Sequence, residues 1–279
     1  MAAPSRWWSR DTVAVVTGSN KGIGFEIVKQ LAEKGLTVIL TARDEGKGIA
    51  AVERLKNEGL IVKFHILDVL ILDSIANLAA WLQQNFGGLD ILINNAAITD
   101  QEETYSCAQM VLETNYKAVK MLTRELLPLF KGSTAGARIV NISSCHGKLE
   151  KIGNPSLRQE IGNIDTLTED KIDKFVESYL TDAKDKKVGE AGWSTGAYSV
   201  SKMALNAYTR VLARSLKERQ EGEKIYVNCV SPGFCKTDMT NNQGLYTAAQ
   251  GAETAVWVAL LPSNGPTGQH FSQKNVESF

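Results

Sequence analysis

Six short apolar runs, rich in β-branched residues, recur along the chain: Val13–Thr17, Thr37–Thr41, Ile61–Leu67, Leu89–Ile93, Arg138–Ser143 and Lys224–Val230. Between them lie longer segments with helical spacing, such as "IAAVERLKNEG" and "SIANLAAWLQQNFG". Strands that read as continuous apolar runs are buried on both faces, and strand–helix alternation builds a parallel sheet with helices on each side. The predicted fold is therefore α/β, a doubly wound parallel sheet, with its ligand at the carboxyl ends of the strands. Connections are short and no proline or Gly/Ser linker divides the 279 residues, so residues 1–279 are read as one domain.

The first strand runs straight into "TGSNKGIG", with glycines at 18, 22 and 24. A glycine-rich turn between a strand and a helix brings main-chain N–H groups and the helix N-terminus against a phosphate. Three residues separate Gly18 from Gly22 and no Lys-Ser/Thr follows, which disfavours the P-loop of nucleoside triphosphatases; the spacing also departs from GxGxxG. A structural turn without ligand is the competing reading of the loop taken alone. The second strand ends in "TARD", where an acidic residue would take a ribose 2′-hydroxyl and an arginine a 2′-phosphate. Arg43 at the strand end and Lys21 in the loop converge on that phosphate and favour NADP(H), with Asp44 expected past the ribose.

Composition narrows the partners. Lys plus Arg and Asp plus Glu number 31 each, so no net field favours nucleic acid or an anionic membrane. Cys107, Cys145, Cys229 and Cys235 show neither CxxC spacing nor a histidine pair, so neither a metal site nor a disulfide framework is expected. With no signal pattern in "MAAPSRWWSR" and no membrane-length apolar run, the expectation is a cytoplasmic protein with reduced thiols.

Chemistry enters with "YSVSK": on a helix running to about Lys217, Tyr198 and Lys202 lie one turn apart on one face. A free phenol has a pKa of about 10, and an ammonium one turn away favours the phenolate, making a proton shuttle near neutrality. YxxxK alone is common on solvated faces; its weight comes from "NNAA" (94–97), "ETNYKAV" with Asn115, and "IVNISSCHG" with Ser144.

In order and over Thr12 to about Phe271, TGxxxGxG, "LDV", NNA, Asn115, Ser144 and YxxxK closely resemble the short-chain dehydrogenase/reductase family. The resemblance implies a Rossmann-type fold in which Tyr198 is the general acid of reduction. It implies further that Ser144 hydrogen-bonds the substrate carbonyl, Lys202 holds the nicotinamide ribose and tunes Tyr198, and Asn115 anchors a water-linked proton relay. Ser144 is preferred to Ser143 because the family serine opens a Ser-x-x-Gly turn, here Ser144–Gly147. For NADPH/NADP+ the resemblance places Gly18, Asn20, Lys21, Gly22, Ile23 and Arg43 on the adenosine and phosphates. Asp68 and Val69 come by the adenine, Asn95 farther along, and Pro232, Gly233 and Thr237 close over the nicotinamide. Asn94 reads as an amide tying adjacent strands.

The stretch from Ser144 to Tyr198 is longer than the family's usual connection, an insert at about 149–193. Thr166 and Glu169 make a capping-box pattern before an apolar stripe of Ile172, Phe175, Val176, Tyr179 and Leu180, read as a helix packed on the parent domain rather than a partner-binding helix. The insert, "NKGIG", "TARD" and "GAETAVWVALLP" look like the monomeric NADPH carbonyl reductases of animals and their plant relatives, which reduce terpenoid and alkaloid ketones. That implies a monomer acting on a small-molecule carbonyl substrate, a ketone, aldehyde or quinone. Cys145, His146, Trp193, Phe234 and Met239 are candidates for an apolar pocket. Two other readings stand beside this one. A serine hydrolase built on Ser144 and His146 lacks a GxSxG elbow and a carboxylate partner. An NADP-binding scaffold without turnover has nothing in the sequence to recommend it.

Overall fold

The computed structural model describes residues 6–193 and 196–279. Its order is β1 (Val13–Val16), α1 (Gly22–Glu33), β2 (Thr37–Ala42), α2 (Glu45–Asn57), β3 (Lys63–Ile66), α3 (Leu72–Phe86), β4 (Ile91–Asn94), α4 (Tyr105–Leu112), α5 (Ala118–Leu126), β5 (Ala137–Ile142), α6 (Pro155–Gly162), α7 (Glu169–Lys184), α8 (Ala197–Ser215), β6 (Ile225–Ser231), α9 (Ala248–Ala259), β7 (His270–Ser272) and β8 (Asn275–Glu277). The strands form one sheet in the order β3-β2-β1-β4-β5-β6-β7-β8, parallel except for the antiparallel β7–β8 pair.

Each central strand feeds both layers, as its period of two requires. Val13 and Val15 face one core with Leu92 and Ile139, under α3, α5 and α8; Ala14 and Val16 face a second with Ile91 and Ile93, under α1 and α9. Edge strand β3 is partly exposed and carries Lys63 and His65, charges and polar groups that guard an open edge. The order reverses between β1 and β4, which opens a crevice at their carboxyl ends.

The insert departs from expectation at its cap. Thr168, not Thr166, begins α7, its hydroxyl accepting from the Lys171 N–H. The apolar stripe is buried as expected at Ile172, Phe175, Val176 and Tyr179. A second, polar clamp was not foreseen: Asp173 accepts from the Tyr116 hydroxyl (2.7 Å) and the Lys120 ammonium (2.5 Å), and Arg124 pairs with Glu169. The insert helix is thus fastened across the face that α4 and α5 would otherwise present. The hairpin of β7 and β8 was also missed, because its two-residue turn uses Gln273 and Lys274 at φ +48° and +62° rather than glycine or asparagine.

Candidate active site

The loop after β1 is shaped by its glycines. Gly18 and Gly22 adopt φ +58° and +59°, and a Cβ on Gly18 would stand 2.9 Å from Ala96 Cα. The Thr17 hydroxyl accepts from the N–H groups of Asn95 and Ala96, both at 2.9 Å. Asn95 Nδ2 donates to the carbonyls of Thr17 (2.9 Å) and Gly18 (3.0 Å), so this amide, expected to lie toward the cofactor, is engaged in bracing the loop. Asn94 bridges β4 to β5 through Asn141 (2.8 Å), the strand tie expected of it.

An anionic ligand fits this loop. The N-terminus of α1, which follows this loop directly, has no side-chain cap and carries no acidic residue in its first turn. Its leading N–H groups, unsatisfied within the helix, suit a phosphate. Asn20 and Ile23 are half-buried at this end, and Lys21 and Arg43 are exposed. Asp44 is the N-cap of α2, accepting from Lys47 N at 2.9 Å, so its carboxylate is engaged within its own helix. Asp68 and Val69 are partly buried just beyond β3, and Asp68 Oδ1 accepts from Leu70 N at 3.0 Å. Across the crevice, a Cβ on Gly22 would stand 3.6 Å from the Thr237 methyl, and Asp238 forms an ion pair with Lys21 at 2.7 Å. Pro232 and Gly233 start the 232–247 loop; Gly233, at φ +83°, leaves room for the Tyr246 ring.

The candidate catalytic side chains gather at the ends of β4 and β5. Lys202, 2% exposed in α8, donates to the Ile142 carbonyl at 2.8 Å and lies 5.5 Å from the centre of the Tyr198 ring. Burial lowers its pKa to about 8. For Tyr198, burial raises the phenol pKa and the neighbouring Ser144 hydroxyl opposes the rise. Burial of both groups acts against the lowering expected from Lys202.

Ser143 and Ser144 separate cleanly. Ser143 is buried and donates to Asn206 Oδ1 at 2.5 Å, while Ser144 opens the 3₁₀ turn Cys145–Gly147 toward Tyr198. Gly147 lets this turn lie on α8, since a Cβ there would meet Asn206 Nδ2 at 2.6 Å. Asn115 sits in a π-helical turn, Glu113–Lys117, between α4 and α5. Its amide is fully engaged: Oδ1 accepts from Ile98 N (2.9 Å), and Nδ2 donates to Ile98 O (2.8 Å) and Ser201 Oγ (3.0 Å). Two residues escaped the sequence reading. Ser201 links Asn115 to the Tyr198 carbonyl (2.6 Å), and Asp100 accepts the Tyr198 N–H. Ser201 lay inside the quoted "YSVSK"; nothing in the sequence marked Asp100.

The pocket candidates divide. Cys145 and His146 are exposed beside the turn, and the His146 ring lies 6.0 Å from that of Tyr198. Its Nδ1 faces Ser199 Oγ at 3.5 Å rather than Ser144, so the Ser144–His146 pair that a hydrolase would need is not formed. Phe234 and Met239 are half-exposed on the 232–247 loop, joined there by Leu245, which was not foreseen. Trp193 is corrected: it is fully buried against Phe175 and Tyr179, its Nε1 donating to Asp182 at 2.8 Å, and it anchors the insert rather than lining a pocket.

A short chain dehydrogenase family model matches residues 12–156 and 187–246, and the chain belongs to that family. Salutaridine reductase from Papaver somniferum has a similar solved structure, with TM-score 0.86 and 40% identity over 94% of this chain and 99% of that one. Menthone neomenthol reductase from Mentha piperita follows with TM-score 0.82 and 36% identity over 94% and 98%. Among sequences, the NADPH carbonyl reductase 1 of Sus scrofa is 39% identical over 96% of this chain and 94% of its own.

Proposed function

We propose that this protein is an NADPH-dependent carbonyl reductase that converts a bulky ketone, aldehyde or quinone to its alcohol. The observation that carries the proposal is the cluster of Tyr198, Ser144 and buried Lys202 at the carboxyl ends of the sheet, facing an uncapped α1. The names of the relatives support the same chemistry.

When bound, the nicotinamide supplies a hydride from its C4 to the carbonyl carbon. Ser144 donates a hydrogen bond to the carbonyl oxygen, and the Tyr198 hydroxyl transfers its proton to that oxygen as negative charge develops. The raised Tyr198 pKa suits this direction, because the phenol is then protonated at neutral pH. Lys202 steadies the phenolate left behind and holds the nicotinamide ribose. Asn115, its side chain engaged, fixes the loop after β4 and anchors a water-linked relay that returns the proton. The N-terminus of α1 with Gly18, Asn20, Gly22 and Ile23 receives the pyrophosphate; Lys21 and Arg43 receive the 2′-phosphate; Asp68 and Val69 flank the adenine. Pro232, Gly233 and Thr237 close over the nicotinamide. Exposed Phe234, Met239 and Leu245 on that loop, with His146 and Cys145 opposite, provide apolar surface for a large substrate.

The protein acts as a monomer, because the insert helix covers the α4–α5 face. All four cysteines are free thiols, which fits a reducing, cytoplasmic setting, and no described helix is long and apolar enough to cross a membrane. The test is NADPH oxidation with a panel of ketones, aldehydes and quinones, beside NADH and Tyr198→Phe. Turnover with NADPH that is lost in the variant is expected. Tight NADPH binding without turnover on any carbonyl would point instead to a scaffold.

A further inference from the structure

Tyr198 is the second residue of α8, and its N–H is among the leading amides that a helix cannot satisfy internally. No side chain within α8 caps it. Its acceptor comes from elsewhere: Asp100, on the loop after β4, takes the Tyr198 N–H with both carboxylate oxygens, at 3.0 and 3.1 Å. The site is fitted to the carboxylate, since a Cβ on Gly196 would stand 2.6 Å from Asp100 Oδ2.

The loop carrying Asp100 is itself fixed. Two residues upstream, both main-chain groups of Ile98 are held by the Asn115 amide. The same amide donates to Ser201 Oγ, which donates to the Tyr198 carbonyl. A closed circuit therefore runs from Asn115 through Ile98 and Asp100 to the Tyr198 N–H, and back through the Tyr198 carbonyl and Ser201. Tyr198 is gripped at both ends of its backbone, and Asp100 supplies the one ionic link. A carboxylate at the first turn also meets the positive end of the helix dipole. Burial raises the Asp100 pKa and the Tyr198 N–H lowers it, as expected for a carboxylate drawn partly out of water for this contact.

We propose that Asp100 is a positioning residue that sets the Tyr198 hydroxyl in register with Ser144 and the substrate carbonyl, by capping the catalytic helix from the loop after β4. The proposal rests on Tyr198 being the general acid. Its effect belongs in kcat rather than in NADPH binding, since Asp100 touches neither the glycine loop nor Lys21 or Arg43.

The experiment compares wild type with Asp100→Ala, Asp100→Asn, Gly196→Ala and Tyr198→Phe, reading kcat, the NADPH dissociation constant, and hydrogen exchange of the Tyr198 amide by NMR. Asp100→Ala is expected to lose Tyr198 amide protection and to lower kcat about tenfold or more, with NADPH affinity within about twofold, because ångström-scale misplacement can cost up to about a hundredfold. Asp100→Asn, which keeps an acceptor, should restore most of both. Gly196→Ala, which leaves Asp100 in place and displaces its carboxylate, should reproduce the loss. An amide equally protected in Asp100→Ala overturns the contact. A lost amide with kcat within about twofold of wild type overturns the functional role. Wild-type turnover in Tyr198→Phe overturns the reading of Tyr198 itself, and the amide measurement separates that failure from a missing cap.

Discussion

The Lys202 ammonium donates a 2.8 Å hydrogen bond to the main-chain carbonyl of Ile142 in a fully buried setting, with no carboxylate beside it among the described residues. Burying an ammonium with a single neutral acceptor costs stability, and the depressed pKa of about 8 is the sign of it. Lys202→Met should therefore abolish turnover yet raise stability at pH 7 by about 1 kcal/mol, the lost Ile142 bond offsetting part of the gain. The pH dependence has a definite sign. The folded state releases this proton near pH 8 and the unfolded chain near 10.5, so across that window the unfolded state binds more protons. The wild type's deficit against Lys202→Met is complete below pH 8 and shrinks as pH rises toward 10.5. Urea midpoints measured from pH 7 to 10 for both proteins test this; parallel curves would contradict it.

Gly24 is set where α1 meets the Asn95 brace. A Cβ there would lie 2.4 Å from Asn95 Nδ2 and 2.9 Å from the Gly18 carbonyl, so Gly24→Ala must push the amide off the loop. NADPH affinity should fall about tenfold or more, with a smaller loss of folding stability. Calorimetric titration with NADPH gives the answer, and unchanged affinity would show that the brace does not shape the site.

Lys21 faces two anions in turn. It pairs with Asp238, which it holds below the usual carboxylate range, and it is assigned to the cofactor 2′-phosphate. Both partners are exposed, so the pair is weak and screened by salt. Lys21→Ala and Arg43→Ala should each raise the KM for NADPH about tenfold and leave that for NADH nearly unchanged. Asp238→Asn should lower the KM for NADPH modestly at low salt, with the difference vanishing at high salt. Steady-state kinetics with both coenzymes decide it.

Asp173 joins the insert to the parent domain by accepting from Tyr116 and Lys120, the latter only 8% exposed. Asp173→Ala leaves the buried ammonium with Glu169 alone, at 3.5 Å, and should cost about 2 kcal/mol in urea denaturation. Sedimentation of the wild type should give a monomer, while Phe175→Glu, which charges the buried face of α7, should destabilise the insert and promote self-association. A wild-type dimer would contradict the role assigned to the insert.

The parallel core was legible because Val13–Val16 and Ile91–Ile93 are apolar throughout, a pattern that buried central strands impose. Gly18, Gly22, Ser144, Tyr198 and Lys202 stood out through local spacing. What spacing does not encode is who answers whom across the fold. Asp100 reaches Tyr198 across 98 positions, and Asn95 turns back onto Thr17 and Gly18 across 78 and 77. Trp193 was misplaced for a related reason: an aromatic residue near an expected site reads alike whether it faces substrate or fills the insert's core. The cap at Thr168 rather than Thr166 turned on two threonines that both precede the same apolar stripe.

The central claim is that hydride reaches a carbonyl carbon while Tyr198 protonates the oxygen. The most direct measurement uses NADPH deuterated at nicotinamide C4 with the best ketone of the panel, followed by mass spectrometry and NMR of the product. One deuterium on the new carbinol carbon, formed by the wild type and absent with Tyr198→Phe, is the predicted result. Product without carbon-bound deuterium, or undiminished deuterium transfer by Tyr198→Phe, would contradict it.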